Sequence, residues 1–287
     1  MVGSGRIGFI GLGAMGLPMA RNLLKSGFEL HVAAHRNRKP VMELKDEGAV
    51  EHASLSGVAG NCDILISILP EDRQMQEVLL SSQVLDVLKS DCVLIEMTSG
   101  SPGMMRKIDK AYREKGIRVL DAPVSGGTAG AANGTLTVMA GGKQEVLEAV
   151  RPVLEAMATH IYLVGDVGAG KAIKAINQML AGIHMIASAE AVALGEKLGI
   201  DKEMMKKVIG NSSGASWMIL NKMETLSKRA YQPGFKLKLM KKDVQIALSE
   251  GAELALPLTS LALQLYKMAE KECGELDFSS VGKWILS

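Results

Sequence analysis

Cysteine is scarce in this sequence: three occur in 287 residues, Cys62, Cys92 and Cys273, isolated from one another and with no C-x-x-C among them. That odd, dispersed set spells out neither a disulfide framework nor a zinc cluster, and it fits a reducing, cytoplasmic setting. An excess of charge is also missing, since 33 Lys and Arg stand against 31 Asp and Glu. So even a balance gives no basic face for nucleic acid or an acidic membrane, and neither is expected as a partner. No His or carboxylate cluster has ligand spacing, so no metal site is expected. The stretch closest to a membrane span, residues 175–195, is interrupted by Asn177, Gln178, His184 and Glu190 at intervals costly in lipid, and it reads as a buried helix. The apolar opening carries glycines and Pro18 and lacks a basic region followed by a cleavage site, so the N-terminus is expected to belong to the fold.

What the sequence does have is rhythm. RIGFIG, ELHVAA, DILISIL, CVLIEMT, RVLDAPV, LTVMAGG and IYLVG read as strands, and residues 14–26, 101–115 and 143–158 between them carry helical periodicity. Near-continuous apolar strands alternating with helices predict a Rossmann-type α/β fold, a doubly wound, mostly parallel sheet with both faces covered. After VGDVGAGK no further strand is evident, and helix-forming sequence runs to the end. The expected division is a Rossmann-type α/β domain over residues 1–166 and an all-helical domain over 167–287, joined by a long helix over 169–198. Ala, Gly and Ser enrich that helix, which permits close approach by neighbouring helices or by a second subunit. The 18 methionines suit core filling, with a flexible binding groove as the alternative.

The first motif is GLGAMG, after the first strand and before the first helix. There Gly11 permits the tight turn, Gly13 lets the backbone approach a pyrophosphate, and Gly16 permits close helix packing. With Leu12, Ala14 and Met15 between them, they are expected to cradle a dinucleotide at a helix N-terminus. An NAD site commonly has a carboxylate at the end of the second strand. Here that place reads HVAAHRNRK, where Ala33 and Ala34 offer none and His35, Arg36 and Arg38 offer positive charge for a 2′-phosphate. NADP is favoured and NAD possible; solvated loop charges are the alternative.

Two further stretches carry candidate chemistry. In DAPVSGG, Ser125, Gly126 and Gly127 follow a strand, where a hydroxyl and exposed amides could receive a small carboxylate, or could simply turn the chain. Pro123 replaces the first glycine of a nucleophile elbow, so a serine nucleophile is not expected. In GAGKAIKAINQ, Lys174 and Asn177 share a helix face, and their neighbours Ile173 and Ile176 suggest partial burial; surface lysines are the alternative. Lysine transfers protons near neutrality only if its pKa falls from about 10.4, which burial and nearby positive charge, such as Lys171 one turn earlier, promote. A histidine base is less suited, because His184 lies ten positions beyond Lys174 and no histidine has an evident acidic orienter.

GFIGLGAMGLPMARNL, DAPVSGG, GAGKAIKAINQ and FKLKLMKKD, in that order and across essentially the whole chain, resemble the β-hydroxyacid dehydrogenase family. Its members include 3-hydroxyisobutyrate dehydrogenases and tartronate, glyoxylate and succinic semialdehyde reductases. The resemblance implies an oxidoreductase acting on a small carboxylate, with Lys174 catalytic, Asn177 orienting the substrate, and Ser125, Gly126 and Gly127 cradling its carboxylate. It further implies that Thr98, Leu69 and Pro70 lie at the nicotinamide side, that Lys242, accompanied by Asp243, reaches the cofactor, and that the protein is a homodimer or homotetramer. Trp217 and Phe235 are possible pocket walls. Two departures stand out: Ala34-His35-Arg36 where the family shows an Asp or Asn-Arg-Thr, and Gln178 where some members have a second Asn. Imine reduction, or a degenerate cofactor-binding scaffold, are the rival functions.

Overall fold

The structure, a computed structural model, describes residues 5–286; the expected outer bounds at residues 1–4 and 287 lie outside them. Six strands form a parallel sheet: β1 Ile7–Ile10, β2 Leu30–Ala33, β3 Val50–His52, β4 Ile64–Ser67, β5 Val93–Glu96 and β6 Arg118–Asp121. β7 Val124–Ser125 and β8 Leu136–Gly141 are antiparallel to each other, β8 runs antiparallel to β6, and β9 Ala158–Gly165 runs parallel beside β8. The order β3-β2-β1-β4-β5-β6-β8-β7, with β9 on β8, reverses direction between β1 and β4. Ligands of open α/β sheets bind outside the strand ends at such a switch point.

Helices cover the sheet: α1 Gly16–Lys25, α2 Lys39–Asp46, α3 Leu55–Gly60, α4 Asp72–Leu79, α5 Ser82–Leu85, α6 Pro102–Arg113, α7 Gly127–Asn133 and α8 Gln144–Glu155. β1, β4 and β5 are buried along their full length, as strands covered on both faces must be. Ile7, Phe9, Ile64 and Ile66 pack with Met19 and Leu23 of α1 on one side, and Leu65 and Leu94 pack with Met105 and Tyr112 of α6 on the other. Each such side chain contributes roughly 1.5–3 kcal/mol on leaving water.

Each expected strand is present, with two differences. RVLDAPV is two strands, β6 and β7, and Pro123 lies at the break, where it has no N–H for the ladder. β3 was not expected, because its sequence VEH carries no apolar run.

The 29-residue helix α9, Ala169–Lys197, leads into α10 Lys202–Gly210, α11 Trp217–Lys228, α12 Leu237–Glu250, α13 Pro257–Cys273 and a 3-10 helix, Phe278–Trp284. The chain divides into two compact units between Lys174 and Ala175, inside α9. The second unit has its own core of Met185, Leu226, Met240, Val244, Tyr266 and Phe278, among others, and the Tyr266 hydroxyl donates to the Gly182 carbonyl over 3.2 Å. α9 is long and apolar enough to cross a membrane by length and composition, and half of its most apolar window is buried within the protein.

Candidate active site

The glycine loop joins β1 to α1 at the switch point, and its three glycines have three separate causes. Gly11 has φ +103°, and a Cβ there would lie 2.0 Å from the Ile68 carbonyl oxygen at the end of β4. A Cβ on Gly16 would lie 1.8 Å from the Gly11 oxygen, so α1 can start only if Gly16 is bare. Gly13 is exposed, and a Cβ there would meet nothing within 4 Å. The open space beside Gly13 is what backbone approach to a ligand leaves. Leu12 and Met15 are half-buried and Ala14 is exposed. No side chain caps the N-terminus of α1 and no acid occupies its first turn, so its amides and dipole are available to an anion.

At the end of β2 no carboxylate follows. His35, Arg36 and Arg38 are exposed there, and Arg38 pairs with Glu51 of β3 at 2.9 Å, which partly answers its charge. Of these two guanidiniums, Arg36 has no such ion pair among the described residues.

A buried polar chain runs across the strand ends from β4 to α9. The Leu69 amide donates to the Thr98 hydroxyl over 2.8 Å, the Thr98 hydroxyl donates in turn to Glu96, and Glu96 meets the Lys171 ammonium at 2.6 Å. Lys171 also faces Asp121 at 3.0 Å and donates to the Glu96 carbonyl. The second oxygen of Asp121 accepts the amides of Gly168 and Lys171, both at 3.0 Å, and so caps the start of α9. All three charged side chains are fully buried. Burial works against the charge of Lys171, but Asp121 and Glu96 outweigh it and hold its pKa above the ordinary lysine value.

This chain bears on two expectations. Thr98 is fully buried with its hydroxyl engaged on both sides, which fixes the Leu69 loop. Lys171 supplies no positive field to Lys174, because two carboxylates leave its cluster one net negative charge. Leu69 is half-buried and Pro70 exposed.

Ser125 ends β7, half-buried and in register with Thr137 of β8. Gly126 and Gly127, both exposed, open α7 with φ +132° and +62°, values that a side chain would strain.

Lys174 lies on α9 with 7% of its surface exposed. The flanking isoleucines were expected to bury this face, yet Ile173 and Ile176 are 39% and 49% exposed. Over residues 171–178 the buried positions of the helix are Lys171, Lys174, Ala175 and Gln178. In the second unit, the Asn177 amide donates to Gln178 Oε1 over 3.0 Å, Gln178 donates to Asp243 over 2.7 Å, and Asp243 pairs with Lys242 at 2.9 Å. Asn177 and Lys242 are thereby joined through two side chains to which sequence assigned no linking role. Phe235 packs edge-on to Phe278, with ring centroids 6.0 Å apart, and Trp217 is 62% exposed.

Glu96 and Asp121 are the polar residues of this chain that sequence reasoning left out, and it named Lys171 and Gln178 without their partners. The available signal was a charge inside an apolar run, as in CVLIEMT.

Residues 6–165 match the family model described as the NAD binding domain of 6-phosphogluconate dehydrogenase. Residues 168–285 match the one described as NAD-binding of NADP-dependent 3-hydroxyisobutyrate dehydrogenase. The chain is 41% identical to 2-(hydroxymethyl)glutarate dehydrogenase of Eubacterium barkeri over 266 residues, covering 91% of this chain and 88% of that one. It is 39% identical to NAD-dependent L-serine dehydrogenase of Pseudomonas aeruginosa, covering 97% of each. Among solved structures, Mycobacterium tuberculosis 3-hydroxyisobutyrate dehydrogenase with L-serine superposes with a TM-score of 0.90 at 30% identity, over 99% of this chain and 100% of that one.

Proposed function

Because this chain belongs to the β-hydroxyacid dehydrogenase family and is a nicotinamide-dependent oxidoreductase of the 3-hydroxyacid type, we propose that it oxidises a small β-hydroxyacid reversibly, with Lys174 as the proton carrier. The observation that carries this assignment is a nearly buried lysine on α9, with Asn177 one turn further along the same helix.

The open backbone at Gly13 and the uncapped start of α1 fit a pyrophosphate, and the bound dinucleotide would supply the hydride acceptor or donor. In oxidation, the neutral Lys174 amine accepts the proton of the substrate hydroxyl. In reduction, its ammonium returns that proton to the carbonyl oxygen. Ser125 and the amides at Gly126 and Gly127 are assigned to the carboxylate, and Asn177 to orienting the substrate, roles that limit the orientations of the reacting carbon. The substrates that the relatives' names carry, 2-(hydroxymethyl)glutarate and L-serine, share this pattern of hydroxymethyl and carboxylate, and the same class is proposed here.

NADP is the proposed cofactor, supported by the exposed His35 and Arg36 and by the missing carboxylate after β2. Three free, buried cysteines support a cytoplasmic location. Exposed Ile173, Ile176, Leu180 and Leu194 on α9 support a dimer or tetramer.

The decisive experiment is Lys174→Ala, assayed with each nucleotide on 3-hydroxyisobutyrate, L-serine, tartronate semialdehyde, glyoxylate and succinic semialdehyde, with cyclic imines as counter-substrates. Turnover is expected to fall at least about 10²-fold, in the range of general acid–base catalysis, with nucleotide affinity retained. Retained turnover removes Lys174 from the chemistry.

A further inference from the structure

Lys171 is fully buried, and so are the two carboxylates that face it. Burying three charges is a poor route to stability, because well-packed apolar side chains of similar volume commonly do as well or better. What the cluster provides is geometry. Glu96 and Asp121 are register partners at the ends of adjacent parallel strands, and the ammonium lies between them. Asp121 holds the backbone amide of the same residue with its other oxygen. Lys171 is therefore attached at two points, the main chain and the side-chain tip, and two attachments fix both the height and the rotation of the first turns of α9, up to Lys174.

Lys174 is one turn further along that helix, about 4.5 Å by helical rise. From Glu96 the bonds continue through Thr98 to the Leu69 amide. One hydrogen-bonded chain thus joins the loop after β4 to the turn that precedes Lys174, and Lys171 is the link that closes it.

We infer that Lys171 is a positioning residue for the hydride-transfer reaction, setting the Lys174 amine in register with the Leu69–Pro70 loop. The inference rests on the assignment of Lys174 as the proton carrier. Lys171 touches no substrate; it acts only through the helix. A displacement of about 1 Å at a reacting group is enough to cost on the order of 10²-fold in rate. Loss of Lys171 should therefore lower kcat while leaving the binding of both ligands nearly unchanged.

The test is Lys171→Met, with folding followed by thermal unfolding and kinetics normalised to nucleotide-binding sites. Because that variant leaves two buried carboxylates without a counter-ion, Glu96→Gln/Lys171→Met is made alongside it. The double variant removes one charge of each sign and keeps the Asp121 bonds to α9. The expected result in either folded variant is a kcat reduced about 30- to 100-fold, with KM and nucleotide Kd within about threefold of the parent. A folded variant with kcat within twofold of the parent overturns the inference, as does failure of both to fold, which makes the cluster a stability element alone. Lys174→Ala in the same assay separates the two failures. If it abolishes turnover while Lys171→Met does not, only the positioning role is lost; if Lys174→Ala itself turns over, the assignment beneath it fails.

Discussion

Gln178 donates to Asp243 over 2.7 Å, and that bond determines which way round Asn177 points. A carboxylate only accepts, so Gln178 must present its Nε2 to Asp243 and its oxygen to the Asn177 Nδ2. Polarity passes from α12 to α9 through two amides that could otherwise flip.

Asp243→Asn removes the fixed polarity while keeping the shape, because an asparagine can donate as well as accept. Gln178 and Asn177 are then free to reverse together. With Asn177 as a carboxylate-orienting group, KM for the hydroxyacid should rise about tenfold, equivalent to the roughly 1.4 kcal/mol of one charge-assisted bond. kcat should change less than about threefold, and the unfolding temperature by only a few degrees. Steady-state kinetics with parallel calorimetry checks this. An unchanged KM means that the orientation of Asn177 has no part in substrate binding. Nucleotide affinity is measured separately, since the same substitution weakens the ion pair with Lys242.

The glycine loop yields a contrast between stability and binding. Gly16→Ala places a methyl 1.8 Å from the Gly11 oxygen, which α1 cannot accommodate without moving, and should destabilise the protein by more than about 2 kcal/mol. Gly13→Ala meets nothing within 4 Å and should leave the unfolding temperature near that of the parent. Its cost should appear in nucleotide affinity, weaker by at least about tenfold if the pyrophosphate approaches the backbone there. Thermal melts with nucleotide titrations read both effects. Normal nucleotide binding by Gly13→Ala places the phosphates elsewhere.

Why these glycines were legible in the sequence, and the Lys171 cluster was not, follows from distance along the chain. Gly11, Gly13 and Gly16 act within one strand–turn–helix unit, so their spacing states their mechanism. Glu96, Asp121 and Lys171 come together only when two strands pair and a helix starts against them, with 75 residues separating the first from the last. The reading of α9 failed at Ile173 and Ile176 because it assumed that apolar residues mark the inward face. There two buried carboxylates bring Lys171 inside, and the isoleucines turn outward as a consequence. β3 escaped notice because an edge strand of three residues, VEH, needs no apolar run.

The nucleotide-binding unit also carries an acid-sensitive pair. His31 Nδ1 and His52 Nε2 are 2.8 Å apart, while His31 Nε2 meets Glu29 at 3.0 Å. One shared proton serves the histidine–histidine bond, and a second would set two cations against each other. Burial first, and the charge of His31 second, hold the His52 pKa below its ordinary value of 6.5. The unfolded chain therefore binds more protons than the folded one just below pH 6.5, so stability should decline as pH falls through that window. His52→Gln should flatten the dependence of the unfolding temperature on pH there, leaving its value at pH 8 little changed. An equally steep profile in the variant assigns the acid sensitivity to other groups.

The proposed NADP preference can be tested at the end of β2, where Arg36 and Arg38 differ in what already faces them. Arg38 is held by Glu51 at 2.9 Å, so its guanidinium is partly neutralised before any nucleotide arrives. Arg36 is exposed. If a 2′-phosphate is read here, Arg36→Ala should cut kcat/KM for NADPH by about 10- to 100-fold, the worth of one charged hydrogen-bonding pair, and leave NADH almost untouched. Arg38→Ala should cost less, because Glu51 already offsets much of its charge and Lys45 stays beside Glu51 when the guanidinium is gone. Ala34→Asp supplies the missing carboxylate and should shift preference toward NADH, since a carboxylate binds ribose hydroxyls and repels a phosphate. Equal losses with both nucleotides in Arg36→Ala would mean that this arginine supports the loop without reading the phosphate, and specificity would then have to come from a group other than the strand-end cations.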